Sequence, residues 1–106
     1  DWAGFMFHSN FFSNGLPSSS NTEWTRNNQH SLVVSKPTYV RICMKPQEVM
    51  AQQFGFMLFR ADNHETMISS MNLERLLLNA KSANANGASC TLYIDKGCYF
   101  VVPYTH

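Results

Sequence analysis

Hydrophobic and polar residues alternate through the middle of the chain in the way that short β-strands require. In residues 38–44, Val40, Ile42 and Met44 fall on one face of an extended chain, and the other face is more polar. This period of two predicts a half-buried strand. Pro46 is expected to end the strand, because proline cannot donate to a β-ladder.

Further stretches have the composition of strands. Residues 30–34 are a short run of β-type residues. Residues 54–59 are apolar on both faces, as expected of a sandwich strand that is covered on one side and abutted at its edge. Residues 90–94 and 98–102 are interpreted as the two strands of an antiparallel hairpin.

The predicted hairpin turns at Asp95, Lys96 and Gly97, where glycine is free to adopt a positive φ. Pro103 is expected to end the second strand of this hairpin, because proline has no N–H group to donate to the ladder. Four or five short strands separated by turn residues are typical of an antiparallel β-sandwich, so the predicted fold class is all-β.

Residues 65–81 are ambiguous. Methionines and leucines recur there at nearly helical spacing, and Glu74 and Arg75 sit among good helix formers. Taken alone, these residues favour a helix over at least part of the segment.

Residues 1–23 differ from the rest of the chain. Residues 1–12 are rich in aromatic side chains, and residues 13–23 have the glycine, proline and serine content of a loop. We expect them to lead into a domain at residues 24–106. The chain begins at Asp1 rather than Met and shows no apolar leader, so we expect a piece of a larger protein without a signal peptide.

Composition argues against several classes of protein. The chain has 106 residues, which suits one domain, and a net charge of +1 with no concentrated basic stripe, so no nucleic-acid partner is expected. Only 14% of the residues are charged, against about 25% in an average domain. No apolar run approaches the roughly 18 residues that a membrane-spanning helix needs.

The three cysteines, Cys43, Cys90 and Cys98, have apolar neighbours and no close spacing. An odd number of cysteines is poor support for a disulfide framework. We therefore expect core thiols in a reducing compartment, which favours a cytoplasmic protein.

No complete catalytic site is expected in this segment. The four histidines are far apart in sequence, and no pair of Cys or His has the spacing of a zinc site. The sequence lacks both a Gly-x-Ser-x-Gly elbow and the papain-type setting of a nucleophilic cysteine. Asp62, Glu65 and Asp95 lie in predicted turns and are weak candidates for calcium ligands, since no Asp-x-Asp pair accompanies them.

The end of the chain resembles the third domain of calpain-type cysteine proteases. In that family an apolar strand and a short turn precede a Gly/Glu-x-Tyr motif that ends in Pro-Ser-Thr. The matching residues here are Gly97, Tyr99, Val102, Pro103 and Thr105, with Tyr104 in place of the usual serine.

Three upstream blocks are similar to the same family and keep its order across residues 24–106. Residues 39–44 resemble its apolar strand that precedes a Gln-Lys segment, and residues 53–59 resemble its Ile-Gly-Phe-x-x-Tyr strand, with Gly55 and Phe56 matched. Trp24, Asn27 and Gln29 resemble its Trp-x-Asn-Pro-Gln motif with one extra residue.

The resemblance implies a C2-like antiparallel β-sandwich with a regulatory role. Such a domain packs on the protease core of the same polypeptide, relays calcium binding and can touch a phospholipid surface. The catalytic residues of the parent calcium-dependent cysteine endopeptidase would lie N-terminal to this segment, so none is assigned here. The family domain continues beyond the Pro-Ser-Thr block, so we expect a sandwich that is incomplete at its C-terminal end.

The resemblance also changes two local expectations. The family has a loop with a short extended piece where residues 76–80 lie, which weakens the case for a helix there. The family's long acidic loop between its first two strands is replaced here by Ser35, Lys36 and Pro37. An acidic electrostatic switch is therefore not expected in this chain.

Two alternatives remain open. A β-rich protein-interaction module unrelated to calpains is suggested by the aromatic N-terminus, and an exposed phenylalanine patch would favour it. A small Cys/His enzyme is the other. For the family interpretation, Trp24 is expected to be a buried anchor that packs near the strand at residues 54–59.

Overall fold

The computed structural model describes residues 4, 6, 17–18, 20–46, 54–62, 67–69, 71–82 and 87–105. A short 3-10 turn at Glu23–Arg26 precedes the sheet structure. The strands are β1 (His30–Val34), β2 (Thr38–Met44), β3 (Phe54–Arg60), β4 (Leu76–Lys81), β5 (Ala88–Ile94) and β6 (Gly97–Thr105). The predicted all-β class is confirmed.

The strands form two antiparallel sheets. One sheet has the order β1-β6-β3-β4, and the second consists of β2 and β5. Leu58 and Tyr99 from the large sheet and Ile94 from the small sheet are buried together between them. The chain is therefore an antiparallel β-sandwich with a wide and a narrow sheet.

β3 is buried on both faces, because the outer face of the large sheet carries a second apolar layer. Met57 and Phe59 of β3 lie in this outer cluster with Trp24 of the 3-10 turn and with Ile68. The prediction of a strand at residues 54–59 is confirmed. The reason for its apolar pattern differs from the expected one, since both edges of β3 are paired and both of its faces are covered.

The hairpin predicted at residues 90–102 is wrong. β5 pairs with β2, whereas β6 lies between β1 and β3 in the other sheet. The chain therefore crosses between the sheets at Asp95 and Lys96. The burial pattern explains the choice: β5 alternates between inward and exposed residues, which suits a sheet covered on one face, and β6 is apolar on both faces, which suits the centre of the large sheet.

Pro103 does not stop the last strand, contrary to expectation. β6 continues through it to Thr105, and Pro103 lies opposite Phe56 of β3. The carbonyl of Pro103 points towards Asn27, on the β1 side of β6. In an extended strand the N and C=O of one residue point to the same edge, so the nitrogen of Pro103 also faces the β1 side. The β1–β6 ladder has already ended at the pair His30 and Val101, so the missing N–H costs no ladder bond.

The leucines of residues 76–78 form the start of strand β4, so the helical interpretation is wrong for residues 76–81. Leu58 of β3 pairs with Leu78 and Phe59 pairs with Leu76, so β4 carries one extra residue, Leu77, at a β-bulge. As a result, Leu76 packs in the outer cluster and Leu78 packs between the sheets. Residues 63–66 and 70 lie outside the described residues.

Candidate functional site

Trp24 anchors the 3-10 turn on the large sheet. Its side chain is fully buried at 0% exposure and stacks on the ring of Phe59, with centroids 5.9 Å apart and planes at 19°. The predicted buried anchor is confirmed. The indole Nε1 is buried without a hydrogen-bond acceptor in the described part of the structure.

Gln29 binds the segment at residues 67–69 on the outer face of the large sheet. Its side-chain Nε2 donates to the carbonyl oxygens of Thr25 at 2.8 Å and Ile68 at 2.7 Å. Its Oε1 accepts from the backbone N–H of Ile68 at 2.8 Å. The amide thus pairs with Ile68 as a neighbouring strand would, and it holds the Ile68 side chain in the outer cluster.

Asn27 joins the start of the sandwich to its end. Its Nδ2 donates to the carbonyl oxygen of Pro103 at 3.1 Å, and the Asn27 side chain is buried. This bond occupies the edge of β6 that β1 leaves unpaired beyond Val101. Thr105, two residues after Pro103, is also buried.

Gly55 leaves room for the side chain of Tyr104 to pass over β3 and reach β4. Tyr104 lies opposite Gly55 and donates from its hydroxyl to Oδ1 of Asn79 on β4 at 2.6 Å. A Cβ atom at Gly55 would lie 2.3 Å from the carbonyl oxygen of Ala80 and 2.9 Å from the Tyr104 hydroxyl. Only glycine leaves this path open. Phe56, the next residue, points to the other face and packs between the sheets.

Tyr99 closes the corner between the two sheets. Its hydroxyl donates to the backbone oxygen of Asp95 at 2.7 Å, four residues upstream. Tyrosines that bond back to the backbone at a strand corner are familiar from other β-sandwiches. Gly97, between them, has a φ of 158°, which confirms the predicted positive φ.

The motif residues therefore have structural roles. Most of the residues that carry the calpain resemblance are buried and bind one another or the backbone across the sandwich. Their side chains are not gathered at one solvent-accessible point, and this arrangement stabilises the fold rather than forming a reaction centre.

The calcium candidates are only partly brought together. Asp62 follows β3 and Asp95 precedes β6, and the hydrogen bond from the Ala61 N–H to the Cys98 carbonyl at 2.9 Å places both at one end of the sandwich. Asp62 is paired with Arg75, whose guanidinium competes with any cation for that carboxylate. Glu65 lies outside the described residues. Within the part of the chain that the structure describes, no three His, Cys, Asp or Glu side chains are grouped as metal ligands.

The cysteines are not all core residues, which corrects the expectation from their apolar neighbours. Cys43 and Cys98 are exposed and Cys90 is partly buried; all three are free thiols. Cys43 shares the outward face of β2, and Cys98 lies opposite the exposed Val33 on the outer face of the large sheet. Apolar neighbours in sequence were misleading because successive residues of a strand face opposite sides.

The titration of the partly buried groups does not favour nucleophilic chemistry. Burial raises the pKa of the Cys90 thiol, whereas a nucleophilic cysteine needs a lowered pKa. Burial lowers the pKa of the His30 imidazole on β1. Neither shift resembles that of an activated cysteine beside a protonated histidine.

The small sheet exposes a pair of tyrosines that the sequence interpretation did not single out. Tyr39 and Tyr93 lie directly opposite each other in the β2–β5 ladder, with their rings edge to face at 5.0 Å. They are 64% and 58% exposed. The signal was present in the alternation of residues 38–44, which places Tyr39 and Arg41 on the polar face of that strand.

No helix among the described residues is long and apolar enough to cross a membrane. Comparisons with protein-family models, with curated proteins and with solved structures found no match to this chain.

Proposed function

We propose that this chain is a non-catalytic regulatory domain of a calpain-type cysteine protease, which packs on the protease core of the same polypeptide. In this role the sandwich is a C2-like third domain, and the catalytic Cys, His and Asn belong to the preceding core. The three free thiols accord with the reducing cytoplasm in which we propose that the protein works.

One observation carries the proposal: blocks of sequence that resemble the family separately are in direct contact. The block at residues 24–29 reaches the C-terminal block through Asn27 and Pro103, which are 76 residues apart. It reaches the central block through the stacking of Trp24 on Phe59. These contacts join the blocks that resemble the family into one packed unit, as the proposed third domain requires.

The polar side chains of buried Asn27 and half-buried Gln29 form bonds to the backbone that stabilise the fold, and this structural use accords with the non-catalytic role that we propose. Calcium and phospholipid binding remain part of the proposal, with Asp62, Glu65 and Asp95 as the carboxylates to test. The pairing of Asp62 with Arg75 argues that any calcium affinity is low.

The most direct test of the family assignment is the complete coding sequence of the transcript that encodes this chain. The proposal predicts a papain-like protease core, with its Cys, His and Asn, immediately N-terminal to the sandwich. A complete reading frame without such a core would contradict the proposal. It would favour the second candidate, a protein-interaction module, for which the exposed pair Tyr39 and Tyr93 is the specific observation.

A further inference from the structure

The outer face of the small sheet combines exposed aromatic rings with a cation. Tyr39 and Tyr93 lie at one end of the β2–β5 ladder, next to the pair of Thr38 and Ile94 that closes it. Arg41 lies on the same face, opposite Thr91, and is exposed. Tyrosine and arginine are enriched among the residues that dominate binding energy at protein interfaces.

Positive charge is concentrated around this face. Lys36 and Lys96 are exposed in the two connections that flank the tyrosine pair. Within β2, β5 and these two connections, Asp95 is the single acidic residue. Two cations elsewhere, in contrast, are paired with carboxylates: Arg26 with Glu23 and Arg75 with Asp62. A net charge of +1 for the whole chain thus conceals a local excess of cations.

We propose that the face formed by Tyr39, Arg41 and Tyr93, with Lys36 and Lys96 at its border, docks an extended acidic segment of another protein that also carries aromatic or aliphatic side chains. Carboxylates of the partner pair with the cations, and its apolar side chains cover the two exposed rings. This surface is independent of the proposed regulatory role, because it belongs to the domain whatever polypeptide contains it.

Charge also argues against a second copy of this chain as the occupant. A two-fold symmetric contact brings the same patch of both subunits together. Here that contact would place Arg41, Lys36 and Lys96 of each copy against the same cations of the other. Like charges in a desolvated contact are costly, so the electrostatic match is with an acidic partner.

The probe for the test is a random copolymer of glutamate and tyrosine, with binding to the immobilised protein measured at several salt concentrations. We expect binding that weakens as salt rises, because screening shortens the reach of exposed charges. Arg41→Glu is expected to weaken binding about tenfold or more, as truncation of an interface hot spot does. Lys81→Glu makes the same charge change on β4 of the other sheet and is expected to alter affinity by less than about twofold.

The contribution of the rings is tested with Tyr93→Thr, which keeps a strand-forming residue and is also expected to weaken binding about tenfold. Each variant is first checked by thermal melting. Arg41 is exposed and outside the tyrosine pair, so its variant is informative even if Tyr93→Thr unfolds the small sheet.

Several results would overturn the proposal. They are no binding of the copolymer, a loss of affinity with Lys81→Glu equal to that with Arg41→Glu, and self-association of the protein through this face. Binding of polyglutamate that is as strong as copolymer binding would also contradict it. So would binding to phosphatidylserine vesicles in place of the copolymer, since that result would make the face a membrane contact.

Discussion

Asn27 donates from its side-chain amide to the carbonyl oxygen of Pro103 at 3.1 Å, across 76 residues of chain. A proline is tolerated inside β6 because the β1–β6 ladder ends before it, so no ladder bond needs its missing N–H, and the Asn27 side chain satisfies the Pro103 carbonyl on that edge. It also joins the first and last parts of the described sandwich.

Replacing Asn27 with Leu should therefore destabilise the domain. The change leaves the Pro103 carbonyl buried without a donor, which costs about 1–3 kcal/mol in the free energy of unfolding. Urea unfolding monitored by tryptophan fluorescence measures the loss. Ser89→Leu, at an exposed position of β5, is the control and should change stability by about 0.5 kcal/mol or less. Equal effects at the two positions would mean that the Asn27 bond is unimportant.

Gly55→Ala should be more damaging than its size suggests. The new methyl group would lie 2.3 Å from the backbone oxygen of Ala80, which cannot move without distorting the β3–β4 ladder. Overpacking of this kind costs about 1–3 kcal/mol or more. Gly4→Ala is the control, because a Cβ at Gly4 meets nothing within 4 Å. A Gly55→Ala variant with an unchanged melting temperature would show that the close approach is relieved at no cost.

Gln29→Glu should produce a pH-dependent loss of stability. An ionised glutamate cannot donate to the carbonyls of Thr25 and Ile68, and it would place a negative charge beside both oxygens. The folded state raises the pKa of the introduced carboxyl, so stability should be lowest at neutral pH and should recover partly as pH falls towards 4. Thermal melts of the variant and the wild type across this range test the prediction. A constant difference between the two proteins would contradict it.

His30 should make the wild-type domain less stable in mild acid. Burial lowers the pKa of His30 in the folded state below its ordinary value of about 6.5, so the unfolded state binds more protons between the two pKa values. The contribution of the neutral imidazole is complete above pH 6.5 and is lost as pH falls towards the lowered pKa. His30→Gln should flatten the stability profile in this window. An unchanged profile in the variant would assign the pH dependence to other groups.

The cysteines should react with a thiol reagent in two phases. Cys43 and Cys98 are exposed, whereas burial both shields Cys90 and raises the pKa of its thiol. We expect two thiols to react quickly with Ellman's reagent and the third to react slowly, because the thiolate is the reactive form. Cys90→Ser should remove the slow phase. Three equal rates would contradict the placement of Cys90 on the inner face.

Much of the strand content was accessible from the sequence, because burial on one face imposes a period of two. This was true of β2, and the apolar run of β3 was also assigned to a strand. Strand partners were not accessible. β5 and β6 are adjacent in sequence and joined by a short turn, so local pattern favoured a hairpin. β6 joins the large sheet instead, because both of its faces are buried by residues that are distant in sequence.

Two other errors have equally specific causes. Three successive leucines imitated a helix because a β-bulge sends Leu76 and Leu78 to opposite apolar layers, an arrangement without a period-two signature. The tyrosine pair is not evident from the sequence, because Tyr39 and Tyr93 are 54 positions apart and meet only through the register of β2 and β5. The burial of Trp24 could be predicted because Trp24, Asn27 and Gln29 resemble the Trp-x-Asn-Pro-Gln motif of the calpain third domain.

The proposed regulation of a protease core by this sandwich can be tested by calcium-dependent hydrolysis of casein by the complete polypeptide, compared with a form that lacks residues 24–105 and with the Asn27→Leu variant. We expect that deletion changes the calcium concentration for half-maximal activity and that Asn27→Leu shifts this concentration in the same direction by a smaller amount. Identical calcium curves for the three proteins, or no proteolysis by the complete polypeptide, would overturn the proposal.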